Sequence, residues 1–150
     1  MTAAGLGPIV FAYDGSELAS GAIAEAARQF GPGRAAIVLT VWRPADVGFV
    51  PPAELEIDAA RSDEVKRAAE ATAADGASLA EAAGFRAQSA TTEAAPTWKG
   101  IVDFAEKHDA SLIVLGSHGR SGLATVLIGS VAAAVAAHCG MPVLIAHRRR

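Results

Sequence analysis

Ser111-Leu112-Ile113-Val114-Leu115, then Gly116-Ser117-His118-Gly119-Arg120-Ser121-Gly122, then Leu123 to Ile128 and finally Gly129-Ser130-Val131 carry the densest structural information in the chain. The first five residues make a short apolar run of the kind found in strands buried on both faces. Glycines then interrupt it. From Gly129-Ser130 an Ala-rich helical segment continues to Cys139, and Gly140 stops it. A buried strand, a Gly-rich loop and a helix in that order form a unit of a parallel α/β sheet.

The same alternation repeats on both sides of this stretch. Pro8 to Tyr13 reads as a first strand ended by Asp14-Gly15, and Ala35 to Val41 as a second, opened by Gly31-Pro32-Gly33. Between them Ser16 is an N-cap, and Ala19, Ala22, Ile23, Ala26, Ala27 and Phe30 recur at helical spacing as one buried face. Pro44 to Pro52 reads as a loop. A long helix follows with Val65, Ala68, Ala69, Thr72, Gly76, Leu79, Ala80 and Ala83 on its inner face and Gly84 closing it. Phe85 to Thr91 alternates in polarity, which places it at a sheet edge. A third helix starts near Thr97 after Pro96, buries Trp98, Ile101, Val102 and Ala105, and ends on the cations Lys107 and His108, which suit the helix dipole. Pro142 to Ala146 makes the fifth strand, and the tail His147-Arg148-Arg149-Arg150 reads as solvated. The expected architecture is α/β: a single domain over residues 1–150 with an open parallel five-stranded sheet. Neither an internal repeat nor a linker breaks the pattern.

In an open parallel sheet, ligands bind beyond the carboxyl ends of the strands, where the strand order reverses. The loop after the fourth strand falls there. Lacking Cβ atoms, Gly116, Gly119 and Gly129 let the backbone take positive φ and turn several N–H groups toward one anion. The helix starting near Gly129 adds unpaired N–H donors and the positive end of its dipole. The Ser130 hydroxyl supplies a further hydrogen bond, and Arg120 a charge-assisted one. A Gly-rich connection between a strand and a helix also occurs for purely conformational reasons, so spacing has to separate the two readings.

Composition removes several other functions. A net charge of −3 and a pI near 5.8 give no basic excess for nucleic acid. With one cysteine, Cys139, no internal disulfide forms, and no secretory leader pattern is seen, so the cytoplasm is the expected compartment. No apolar run approaches the roughly 20 residues that span a bilayer. Apolar residues make up 51% of the chain but nearly half are Ala, so close helix packing and an oligomeric interface would support the core. Walker-type Gly-x4-Gly-Lys-Ser/Thr is missing, and Gly5-x-Gly7 precedes its strand instead of following it, which disfavours dinucleotide binding. Of the four histidines only His118 lies in the loop, so no protein-built metal site is expected. Cys139 lacks a basic partner and reads as inert packing. Trp42 reads as packing beside a strand end rather than as a base stacker.

The spacing Gly116-x2-Gly119-x9-Gly129-Ser130 resembles the Gly-x2-Gly-x9-Gly-Ser/Thr pattern of the ATP-binding branch of the universal stress protein family. Val10-Phe11-Ala12-Tyr13-Asp14-Gly15-Ser16, Leu112 to Gly116 and Met141-Pro142-Val143-Leu144-Ile145 are similar to family segments in family order, so the resemblance covers essentially the whole chain. It implies a Rossmann-like sheet of order 3-2-1-4-5 with helices on both faces. It also implies ATP lying across strands one, two and four, with a Mg or Mn ion held mainly by the phosphates. Carried over residue by residue, Asp14 is the ribose-side ligand, Ala12 and Tyr13 line the adenosine, and Val41 reads the adenine through its backbone. Gly116, Ser117, His118, Gly119, Arg120, Gly129, Ser130 and Val131 form the phosphate-binding set. Tyr13 departs from the small or β-branched residue common at its position, and Asp14-Gly15-Ser16 differs from the Ser-Gly-Gly loop of adenylating relatives.

The expected function is therefore an adenine-nucleotide-binding module of the stress response, working as a homodimer through the edge strand Pro142 to Ala146, with neither nucleic acid nor membrane as partner. No catalytic residue is assigned, because no general base stands beside the loop. Slow ATP hydrolysis by a metal and a well-placed water stays compatible with that. The alternatives are an interaction protein of the same fold without useful nucleotide binding, and a true hydrolase.

Overall fold

The structure, a computed structural model, describes residues 5–43, 55–119 and 128–148. Nine elements follow in chain order: β1 (Ile9–Ala12), α1 (Glu17–Phe30), β2 (Ala35–Trp42), α2 (Leu55–Ala82), β3 (Arg86–Glu93), α3 (Thr97–Lys107), β4 (Leu112–Gly116), α4 (Ser130–His138) and β5 (Val143–Ala146). The strands form one parallel sheet of order β3-β2-β1-β4-β5. Each expected strand is present, with ends shifted by a residue or two. The alternating third strand lies at an edge, as its half-polar pattern requires.

Strand periodicity divides the core in two. Ile9, Phe11 and Tyr13 point to one face and pack with Ala19, Ala22, Ile23 and Ala26 of α1 and with Ala77 and Ala80 of α2. Val10, with Leu39, Ile113 and Leu115, faces Ile101, Val102 and Ala105 of α3 and Ala132 and Val135 of α4. Helices therefore cover both faces, and β4, buried along Leu112 to Leu115, has a strand on either side. Trp98 joins the second cluster half-buried and stacks on His138 at 4.4 Å between ring centroids, tying α3 to α4.

Two inner faces differ from the expected ones. Phe30 is 38% exposed at the end of α1, where the helix has run past the sheet. On α2 the buried stripe is Ala69, Ala73, Gly76, Ala77 and Ala80, whereas Ala68 and Leu79 are exposed and Val65, Thr72 and Ala83 half-buried. The smallest side chains let this helix lie close to the sheet, so steric fit at the contact outranks the hydrophobicity of Leu79. Gly84 ends the segment at φ 107°, a left-handed conformation suited to a residue without Cβ. The loop expected over Pro44 to Pro52 lies outside the described residues.

Candidate functional site

β1 connects through α1 to β2 on one side, while β4 lies on the other side of β1, so the order reverses between β1 and β4. The chain leaves the carboxyl ends of these two strands as Tyr13-Asp14-Gly15-Ser16 and as Ser117-His118-Gly119. α1 starts firmly: Ser16 Oγ accepts from Ala19 N at 3.1 Å, and Asp14 Oδ1 accepts from Ser16 N at 3.0 Å. This turn holds the Asp14 carboxylate just beyond the carboxyl end of β1.

The glycines act differently from the expectation. None of Gly116, Gly119 and Gly129 has a left-handed φ. They serve by close approach instead. A Cβ on Gly119 would stand 2.7 Å from Asp14 Oδ2, so the loop backbone lies directly against the carboxylate. A Cβ on Gly129 would stand 3.0 Å from Ser117 O, which accepts from Gly129 N at 2.6 Å and ties the two ends of the loop together. At Gly116 the missing Cβ accommodates Leu18 of α1, 3.0 Å away.

Ser117 is 2% exposed and its N–H donates to Ala146 O of β5 at 2.8 Å. Ser117 Oγ lies 3.1 Å from His118 Nδ1. Among the described residues, His118 Nε2 is buried without a hydrogen-bond partner. Buried polar atoms are rarely orphaned, and this one fits a site completed by a ligand oxygen. α4 begins at Gly129 with no side-chain cap. Its first intrahelical bond is Ala133 N to Gly129 O at 3.0 Å, so the amides of Ser130 and Val131 have no carbonyl within the helix. That positive end suits an anion, whereas the Asp14 carboxylate repels one and suits hydroxyl donors. The two neighbourhoods thus differ in polarity, positive at the start of α4 and negative at Asp14.

The ladder also explains Val41. Leu39 turns its carbonyl toward β1 and accepts from Tyr13 N at 2.9 Å, while Trp42 O turns toward β3 and accepts from Ala94 N at 3.1 Å. Val41, in phase with Leu39, therefore turns its backbone toward the β1 side, beyond the end of β1 at Ala12. Ala12 and Val41 side chains join the α3/α4 face. Tyr13 does not: its side chain is buried in the α1/α2 core, a correction that follows from strand alternation. Arg120 lies outside the described residues, as do Ser121 and Gly122. Sequence reasoning missed Thr40, a buried hydroxyl donating to Tyr13 O at 2.8 Å, and Ala146, whose carbonyl anchors Ser117. Thr40 is the polar interruption in an apolar strand, and that was its signal.

Strand order and covered faces define an open, doubly wound α/β protein. The chain belongs to the universal stress protein family, whose profile matches residues 6–147. It is 42% identical over 67 residues to universal stress protein MJ0531 of Methanocaldococcus jannaschii, a match covering 45% of this chain and 39% of that relative. The chain thus matches about two-fifths of the length of that relative. Its fold is similar to that of UspA from Lactobacillus plantarum, at TM-score 0.74 and 22% identity over 93% of this chain and 97% of the other. A universal stress protein solved in complex with cAMP matches at TM-score 0.64 and 25% identity, over 95% and 97% of the two chains. One from Archaeoglobus fulgidus in complex with dAMP matches at 0.57 and 26%, over 93% and 96%.

Proposed function

We propose that the chain is an ATP-binding member of the family that acts as a regulatory module of the stress response, its conformation or assembly set by nucleotide occupancy. The observation that carries this reading is the approach of Gly119 to Asp14, in a loop whose other end is the uncapped start of α4. The Gly-x2-Gly-x9-Gly-Ser spacing supports it, as do relatives solved with cAMP and dAMP. Asp14 takes the ribose side, Ala12 and Val41 the base, and Ser117 to Gly119 with Gly129, Ser130 and Val131 the phosphates, with Arg120 proposed beside them. A Mg or Mn ion fits this arrangement as a companion of the phosphates, and when bound it neutralises their charge.

The test is nucleotide released from the purified protein, read by chromatography, together with a thermal shift in ATP and Mg. Ligand at 100 times its Kd adds about 2.7 kcal/mol of stability, which raises Tm by roughly 5–11 °C for a chain of this size. No nucleotide and no shift would favour the interaction protein without useful affinity. Multiple turnovers under excess ATP would replace regulation by hydrolysis.

The same reading includes a homodimer across the strand Pro142 to Ala146. Among the described residues β5 is paired only with β4, which leaves its outer backbone edge for another strand, and the edge borders a groove formed by Glu25, Gln29, Leu144, Ile145, Ala146 and His147. Sedimentation at micromolar concentration is expected to give twice the chain mass; a monomer throughout would remove the dimer from the proposal.

A further inference from the structure

Asp14 can discriminate between sugars only if its carboxylate is held still, and the peptide that carries it is held from outside its turn. Thr40 is 8% exposed near the end of β2, and its hydroxyl donates to the carbonyl of Tyr13 at 2.8 Å. That carbonyl belongs to the peptide plane joining Tyr13 to Asp14, so the bond sets the direction in which Asp14 leaves the sheet. The other side of the same plane is held through the Tyr13 ring. The ring is 7% exposed, its hydroxyl lies 3.3 Å from Ser20 Oγ of α1, and Gly76 of α2 leaves room for it, a Cβ there standing 2.6 Å from Tyr13 Cδ1. Asp14 itself is fixed by Ser16 N at 3.0 Å and lies against Gly119.

We infer that Thr40 is a positioning residue for sugar recognition: through the Tyr13 carbonyl it orients the Asp14 carboxylate toward the ribose hydroxyls of the bound nucleotide. The inference rests on the nucleotide-binding reading above and adds to it a residue that touches no ligand. A Thr that only satisfied a buried carbonyl would affect stability and leave ligand preference alone.

The experiment compares ATP with 2′,3′-dideoxyATP, which lacks both hydroxyls that a carboxylate accepts from, by calorimetry on the full chain. Hydrogen bonds to charged groups predict that the wild type prefers ATP by roughly tenfold or more. Thr40→Val keeps the shape and removes the donor; it is expected to bring the preference below about threefold, whereas Thr40→Ser, which retains the hydroxyl, restores it. If Thr40→Val does not fold, Thr40→Ala carries the same expectation. A wild type that binds neither nucleotide sinks the nucleotide reading itself. A wild type that binds both equally, a folded hydroxyl-free variant that keeps the wild-type preference while losing thermal stability, or a Ser variant that fails to restore it, overturns the role of Thr40 and leaves nucleotide binding standing.

Discussion

Under the nucleotide-binding proposal, Gly119→Val is expected to weaken ATP binding by about a hundredfold while the protein stays folded. The position is exposed, so the added side chain disturbs little of the core. Its Cβ alone would come 2.7 Å from Asp14 Oδ2, and the branched methyls extend the conflict into the crevice. Either the carboxylate leaves its turn or the loop backs away from it, and both spoil the site. Forced repacking of this kind costs about 1–3 kcal/mol, and the upper end of that range corresponds to roughly a hundredfold in affinity. Calorimetry with ATP measures the loss and a melting curve checks the fold. A Kd within about threefold of the wild type would show that the contact between Gly119 and Asp14 is irrelevant to binding.

The largest stability effect is expected at Phe11→Ala. Phe11 is 1% exposed, the bulkiest of the fully buried side chains, and meets Phe85 edge-on with ring centroids 5.2 Å apart. Truncation there costs about 3–5 kcal/mol from lost burial and the cavity left behind, which lowers Tm by roughly 6–20 °C. Because Phe11 faces α1 and α2, the loop after β4 keeps its geometry, and ATP affinity measured well below the melting transition is expected to match the wild type. A fall of less than about 2 °C would mean that the α1/α2 layer closes around the gap.

The five strands and the edge position of the third are legible because they depend on local patterns: apolar runs such as Leu112 to Leu115, breakers such as Asp14-Gly15, and the alternation that sends Phe85 to Thr91 to an edge, whereas the order 3-2-1-4-5 comes only with the family resemblance. The inner face of α2 is not legible. In a helix of 28 residues of which ten are Ala, the hydrophobic signal has little direction, and contact with Tyr13 and Val38 at Gly76 determines the face that packs. The spacing marks the loop glycines but does not tell positive φ from close approach, since a missing Cβ that avoids Leu18 and one that avoids Asp14 look alike in a sequence. Tyr13 was placed in the ligand's path because its neighbours Ala12 and Asp14 border it, although strand periodicity turns its ring to the opposite side. Thr40 escaped notice for a simpler reason: its partner is a backbone carbonyl 27 residues away, and no spacing rule reaches that far.

The bond from Ser117 N to Ala146 O has a consequence for anyone recombining family members. The loop and the last strand are separated by a whole helix in sequence, yet they are one mechanical part, aligned with Gly116 opposite Ala146. A chimera that imports a foreign terminal strand also replaces the hook on which this loop hangs, so crossovers belong upstream of β4, where both pieces travel together.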